Sequence, residues 1–331
     1  MHPINTRSKV RLTMLILLAL WVLLLLISLA VGRYPRHIKS LLEGDAMQMR
    51  IFRQLRLPRG VMALLAGFSL GLAGSVYQCV FRNPLASPDI IGTASGASVG
   101  AAAAILFLGG GAAATSFASF LGGSAAVCSC FLLCRLTGKN NRMTLLLTGI
   151  LMNAFFQAIL MILKTVADPE KELAAIEFWL MGSLADITLA RLTRALPFML
   201  TGIFGCVILG RPIEMLQLPD DEAVMLGLPV RLTRFLALAF ATLSSGSVIS
   251  SCGLITFVGL LAPHIARLML GAESPASRLL SGLVGGALLL LADVFTRLIS
   301  DAELPISVIT SLLGAPLLFL MLYRKGAMPD E

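Results

Sequence analysis

In the stretch RPIEMLQLPDDEAVMLGLPVR, residues 211–231, three acids stand in a row, Asp220, Asp221 and Glu222, with Arg211 and Arg231 at its ends. A segment this polar cannot rest in hydrocarbon. Its acids, just ahead of AVML, suit the first turn of a short helix, whose unpaired N–H groups favour negative charge. It is either a solvated loop or a compact handle that takes force from a soluble partner. Cys128, Cys130 and Cys134 fall close together, the last two on one helical face. With no histidine or acid beside them they read as small buried hydrophobes, the alternative being a metal or thiol site. Gly92, Gly96 and Gly100 are spaced four apart, which makes a smooth ridge for close helix packing. A phosphate loop would need a preceding strand and a Gly-Lys-Ser or Gly-Lys-Thr end, and neither is present. His264 follows Pro263 and could ligate haem or relay a proton, with a structural hydrogen bond as the simpler role. Asp293 and Glu303 flank Arg297, and acids within apolar spans are candidates for function. No catalytic group, cofactor site or metal set is expected.

The elements that must position these residues are membrane helices. Hydrophobic residues make up 57% of the 331 and charged ones 13%, where a soluble domain carries about 25% charged. Mean hydropathy is +0.89. Spans need roughly 20 apolar residues and a barrel would show short alternating segments, so the fold class is an all-α polytopic membrane protein. The net charge of +8 reads as basic residues kept at membrane faces, since their clusters are too short for a nucleic-acid stripe. About ten spans are expected, over residues 14–31, 60–81, 91–108, 113–136, 143–163, 196–209, 235–250, 254–270, 279–298 and 303–323. The first is read as a retained helix and not a removed signal peptide. A short helix at 173–184 lies at the outer interface with Trp179 at headgroup level. Serines in SSGSVISSCG either pack and bond to backbone or line a wet path. Basic residues such as Lys9, Arg142, Arg234, Arg278 and Lys325 place both termini and the handle in the cytoplasm. Arg53, Arg56 and Arg59 fall outside, against that rule.

Several blocks together, in one order, resemble the FecCD-type permeases. They are LRLPR at 55–59, the step ending in Gln78, RNPLASPDIIG at 82–92 with Asn83, Pro84 and Gly92, and ASGASVG at 94–100 with Gly96. Further along stand FWLMGSL at 178–184, DEAVMLGLP at 221–229, GLITFVGLLAPHIARL at 253–268, LLADVFTR at 290–297 and ELPISVITSLLGAP at 303–316. The resemblance implies one permease domain over 1–331, of the type II ABC importer fold, in the bacterial cytoplasmic (inner) membrane. It implies a second copy of the chain, two cytoplasmic ABC ATPase subunits and an extracytoplasmic substrate-binding protein as partners, a metal chelate as cargo, and no cofactor or nucleic acid. Coupling to the ATPase falls to Met215, Leu216, Asp220, Asp221, Glu222, Ala223, Leu226 and Gly227, with Pro219 and Asp220 where a glycine is usual. Likeness to the cobalamin permease gives Arg56, Arg59 and Arg297 to docking of the binding protein. Asp293 and Glu303 then either pair with Arg297 or touch cargo, and Ser307 stands where the family commonly has glycine. An iron-siderophore complex is the expected freight, with haem or cobalamin as the alternative. A proton-driven secondary transporter, the rival from another class, would place paired acids or histidines centrally in spans and show internal repeats, which this chain lacks.

Overall fold

In the computed structural model of the chain, residues 4–31, 46–137, 142–270, 275–299 and 304–326 are described, and every regular element among them is helical. The order begins with α1 (Ile4–Ala30), α2 (Ala46–Ile51), a π-helical turn (Phe52–Arg56) and α3 (Leu57–Phe81). After a 3-10 turn (Pro88–Ile91) come α4 (Thr93–Phe107), α5 (Ala112–Leu136), α6 (Arg142–Val166), α7 (Glu172–Leu180) and α8 (Leu189–Ile208). Two short helices, α9 (Gly210–Met215) and α10 (Asp220–Met225), precede α11 (Val230–Cys252), α12 (Val258–Leu270), α13 (Pro275–Ile299) and α14 (Ile306–Gly326).

Within their apolar stretches, 78% of α3, 72% of α11 and 78% of α13 is buried, against 22% of α1 and of α6. The first three are the centre of the bundle and the others its rim. Rim helices turn large apolar side chains outward, among them Leu23 and Leu26 on α1, Leu151 and Phe155 on α6, and Leu312 and Phe319 on α14. Such faces are stable against lipid or another protein. From Arg59 to Arg82, α3 covers about 35 Å at 1.5 Å per residue. The Arg82 end, where α9 and α10 project, is the handle end, and the Arg59 end is the far end. The last turn of α1 meets Arg297 at the far end, and α14 starts there with Ile306 N donating to Gly182 O at 3.0 Å. The outer ends of both terminal helices therefore lie at the handle end.

Seven helices among the described residues are long and apolar enough to cross a membrane, where the sequence suggests about ten. The three shortfalls are the apolar helices Thr93–Phe107, Val258–Leu270 and Ile306–Leu320. Two have a backbone cause. Pro84, Pro88 and the left-handed Gly92 (φ +82°) hold α4 back until Thr93. Gly253 (φ +72°) ends α11, and residues 254–257 run non-helically to α12, with Phe257 at φ +65°. Irregular backbone at such depth is tolerated where protein buries it. Ser307 Oγ serves that end, donating to Leu254 O at 2.6 Å. In the opposite direction, α8 begins at Leu189, upstream of the expected 196, because Thr188 Oγ1 accepts from Arg191 N and caps it. The short helix α7 ends at Leu180, ahead of the expected 184, because Gly182 turns left-handed (φ +67°).

The sequence shows glycine at the closest helix approaches. A Cβ on Gly67 would lie 2.2 Å from Gly285 O, and one on Gly96 2.5 Å from Gly122 O. The 92–96–100 ridge thus meets α5 through Gly96 and Gly100. Gly67→Val must push α3 off α13, since the obstacle is backbone. It is expected to cost at least about 1–3 kcal/mol, read as a lower thermal midpoint in detergent. Gly111→Ala, where an added Cβ meets nothing, is the control that should not move it.

Candidate coupling handle and far-end charge cluster

Helices as short as α9 and α10 do not hold their shape alone, and the chain rivets them from behind. Ile213, Leu216 and Ala223 are buried. Cys79 Sγ donates to Ile213 O at 3.1 Å, Gln217 Nε2 donates to Cys79 Sγ at 3.1 Å, and the Arg278 guanidinium donates to Gly210 O. Arg82 Nε donates to Leu216 O at 3.2 Å. To do so Arg82 takes the left-handed conformation (φ +49°) that closes α3, with Arg82 N bonded to Cys79 O and Asn83 N to Gln78 O. That is a Schellman close with an arginine where glycine is usual, and a non-glycine residue there is strained by roughly 1–2 kcal/mol.

Asp220, at the first turn of α10, gathers the arginines. Arg234 Nη2 reaches Asp220 Oδ2 at 2.9 Å and Oδ1 at 3.1 Å, Arg142 contacts Oδ1, and Arg82 stands 4.0 Å from it. Burial raises the carboxyl pKa, but hydrogen bonds from Arg234 and Arg142 and their charges outweigh it, holding Asp220 below the usual carboxylate range. Asp220 therefore faces the bundle, while Asp221 and Glu222 stay exposed. Beside them Val224, Met225 and Leu226 are 59%, 86% and 63% exposed. Gly227 (φ +81°) turns the chain back, with Leu228 N bonded to Ala223 O at 3.0 Å. Met215, half-buried, ends α9. Of the predicted coupling residues, Leu216, Asp220 and Ala223 hold the handle to the bundle, and Asp221, Glu222 and Leu226 form its free face.

At the far end a second cluster closes around Asp293, which is fully buried. Arg59 Nε donates to Asp293 Oδ1 at 2.9 Å, and Arg297 Nη2 donates to Oδ2 at 2.6 Å. Arg297 also donates to Ser28 O, Ser28 Oγ and Val31 O at 2.9, 2.6 and 2.8 Å. Two of the three arginines expected at a docking surface thus turn inward and tie α1, α3 and α13 together. Arg56 lies on the π-helical turn, half-buried. Glu303 lies outside the described residues.

The remaining candidates make the following contacts. Gln78 Nε2 donates to Leu260 O at 3.3 Å, while its Oε1 is buried without a partner among the described residues. Asn83 Oδ1 accepts from Leu85 N at 2.9 Å, closing the turn that Pro84 starts. Gly92 O accepts from Gly96 N at 2.9 Å. Pro263 is buried within α12, and His264 Nδ1 is 3.3 Å from Arg267 Nη2. Ser245, Ser247 and Ser250 of α11 bond back to their own helix, as Ser245 Oγ does to Ala241 O at 2.9 Å, while Ser244 Oγ is buried without a partner among the described residues. Cys130 and Cys134 are buried and Cys128 is exposed. Sequence reasoning missed the anchoring roles of Arg82, Arg142, Arg234 and Arg278, which look like ordinary basic residues at span ends.

The FecCD transport family matches residues 18–324. The chain is 34% identical over 324 residues to the molybdate import system permease of Haemophilus influenzae, covering 94% of this chain and 96% of that one. It is 33% identical over 330 residues to the hemin transport system permease of Yersinia pestis, covering 97% and 98%. A solved chain assigned to the metal-chelate type of ABC transporter, in an inward-facing conformation, superposes with a TM-score of 0.85 at 33% identity, covering 95% of this chain and 99% of that one. With a family match across nearly its whole length and a bundle that carries a riveted handle, the chain belongs to the FecCD transport family and is a membrane permease subunit of an ABC importer.

Proposed function

We propose that the chain is the translocating subunit of an importer for a metal chelate, iron-siderophore in type, working as a homodimer with two ATPase subunits at the handle end. The handle carries this reading: a rigid pair of short helices braced by Asp220 and Arg82, with Met225 86% exposed beside two free acids. A wide apolar tip with an acidic margin, held stiff from behind, is suited to seat in a cleft and transmit displacement. The handle end is then cytoplasmic, and both termini lie there. The seven long and three shorter apolar helices cross together as ten spans of one domain, residues 211–231 being its coupling segment. A substrate-binding protein docks at the far end through Arg56, while Arg59 and Arg297 keep the helices beneath it in register. The cargo is carried unchanged, by alternating access driven from the ATPase. Haem is the neighbouring reading, favoured by the hemin permease's similarity over the full chain.

Co-expression with the ATPase and mass analysis of the assembly in mild detergent tests this. Two copies of each chain are expected. Met225→Asp should lower ATPase retention about tenfold or more, because it places a charge in the core of the seat, with no change in thermal midpoint. Full retention by that variant, or a permease that transports without the ATPase, overturns the proposal.

A further inference from the structure

A cavity of about 280 Å³ opens between the middle of α3, the 3-10 turn, the first turn of α4, the end of α11 and the start of α12. Leu70 in its wall lies halfway between Arg59 and Arg82, about 17 Å from each at 1.5 Å per residue. The 3-10 turn reaches that level, since a Cβ on Gly259 would lie 3.2 Å from Leu70 O and 3.6 Å from Pro88 Cδ. Asp89, next to Pro88, therefore stands at mid-depth in the bundle. It is exposed, and no other charged residue lines the cavity among the described residues. No ion pair reaches it among those residues, and its side chain accepts only from Ser87 Oγ, at 3.5 Å.

Another wall is residues 254–257, non-helical between α11 and α12, all four half-buried. Helix α14 holds that segment, Ser307 Oγ donating to Leu254 O at 2.6 Å and Ser311 Oγ standing 2.8 Å from Thr256 Oγ1. Two constraints then bear on one surface. A carboxylate open at mid-depth is costly against hydrocarbon and belongs beside water. Irregular backbone at that depth is tolerated only inside protein or along a water-filled cavity, and this stretch is not fully enclosed.

We infer that this cavity is a water-filled chamber on the cargo's passage, and that Asp89 sets its charge preference, admitting hydrated cations and cationic groups ahead of anions. That the chamber lies on the cargo's passage rests on the importer reading. No cation in the wall neutralises Asp89 among the described residues, and low-dielectric walls focus its field into the chamber.

The test is thiol modification of the permease–ATPase complex in nanodiscs, in a Cys128→Ser background whose remaining cysteines are buried. The reporter is Ala94→Cys, half-buried in the cavity wall. The control is Val22→Cys on the rim helix α1, where Val22 is 60% exposed. The probes are a cationic trimethylammonium-ethyl and an anionic sulfonatoethyl methanethiosulfonate, each rate divided by that of a free thiol in solution. Reaction proceeds through the thiolate, which needs water, so Ala94→Cys should react about tenfold or more faster than Val22→Cys. At Ala94→Cys the cationic probe should lead the anionic one by about tenfold. Asp89→Asn should remove that lead at an unchanged thermal midpoint, and Asp89→Glu should keep it. A reporter no faster than the lipid-facing control, or one that reacts only after the assembly is separated into single permease chains, overturns the chamber. Equal rates for the two probes, or a lead that survives Asp89→Asn, overturns the role of Asp89. Each of these leaves assembly with the ATPase intact, whereas failure of the importer reading shows as a permease that recruits no ATPase.

Discussion

Asp293→Ala is expected to destabilise the chain by about 3–5 kcal/mol, the range seen when one partner of a buried ionic group is removed. Asp293 is completely buried, and the side chains of Arg59 and Arg297 are only 14% and 10% exposed. Without the carboxylate, two guanidinium groups share a dry site. Arg297 keeps its bonds to Ser28 and Val31, so its loss is partial, while Arg59 loses an ion pair at 2.9 Å. Asp293→Asn retains an acceptor without the charge and should fall between wild type and alanine. Arg297→Met in the Asp293→Ala background should recover part of the loss, because it removes a stranded charge and keeps the volume. Thermal unfolding of wild type, Asp293→Ala, Arg297→Met and the double variant in one detergent provides the cycle, with Asp293→Asn measured beside it. Equal midpoints for wild type and Asp293→Ala would dismiss the cluster as a structural element. Transport should fall with stability, since the cluster holds the ends of α1, α3 and α13 in register.

How much of this was legible in the sequence depends on the distance over which each interaction acts. The Asp293–Arg297 pair is four residues apart on one helix and could be read directly; its partners Arg59 and Ser28 come from other helices and could not. The handle was legible because polarity marks it, including the helix start at Asp220. Which acid faces inward was not, because the answer comes from Arg82, Arg142 and Arg234, on three helices far apart in the chain. The glycine ridge of α4 told its own packing but not its neighbour. The packing around Trp179 was hidden for a related reason. Composition marks an aromatic residue beside a charged stretch, but not the tight approach of Gly182 to Leu254 O and of Gly253 to Trp179 O that packs α7 onto the end of α11. The starts of α4 and α12 fall later than expected because hydropathy does not register the left-handed Gly92 and Gly253 before them.

Asp220→Ala is expected to uncouple ATP hydrolysis from transport by about tenfold while leaving a folded permease. Three arginines converge on this carboxylate, and its side chain is 41% exposed. Solvent screening reduces what each pair contributes, to about 1 kcal/mol or less for exposed ones, so the sum over the cluster is a few kcal/mol at most. That is small against unfolding of the bundle but large for α10, whose remaining inward hold is the buried Ala223 and the backbone bonds at its ends. Repulsion among the three freed cations adds to the loosening. The pH dependence follows from the depressed pKa. A carboxyl whose folded pKa lies below its unfolded value of about 3.9 gives its full stabilisation above that value and loses it only as pH falls through the lower one. Coupling should therefore be insensitive to Asp220 ionisation across neutral pH, and the latch should release only in strong acid. Asp221→Ala, on the free face, is the informative comparison: it should weaken the seat on the ATPase without loosening the handle. Measured in proteoliposomes as cargo moved per ATP hydrolysed, Asp220→Ala should lower the ratio with the ATPase still bound. A wild-type ratio would mean that the arginines hold the handle without their acid, and that its rigidity comes from Arg82, Cys79 and Arg278 on the backbone alone.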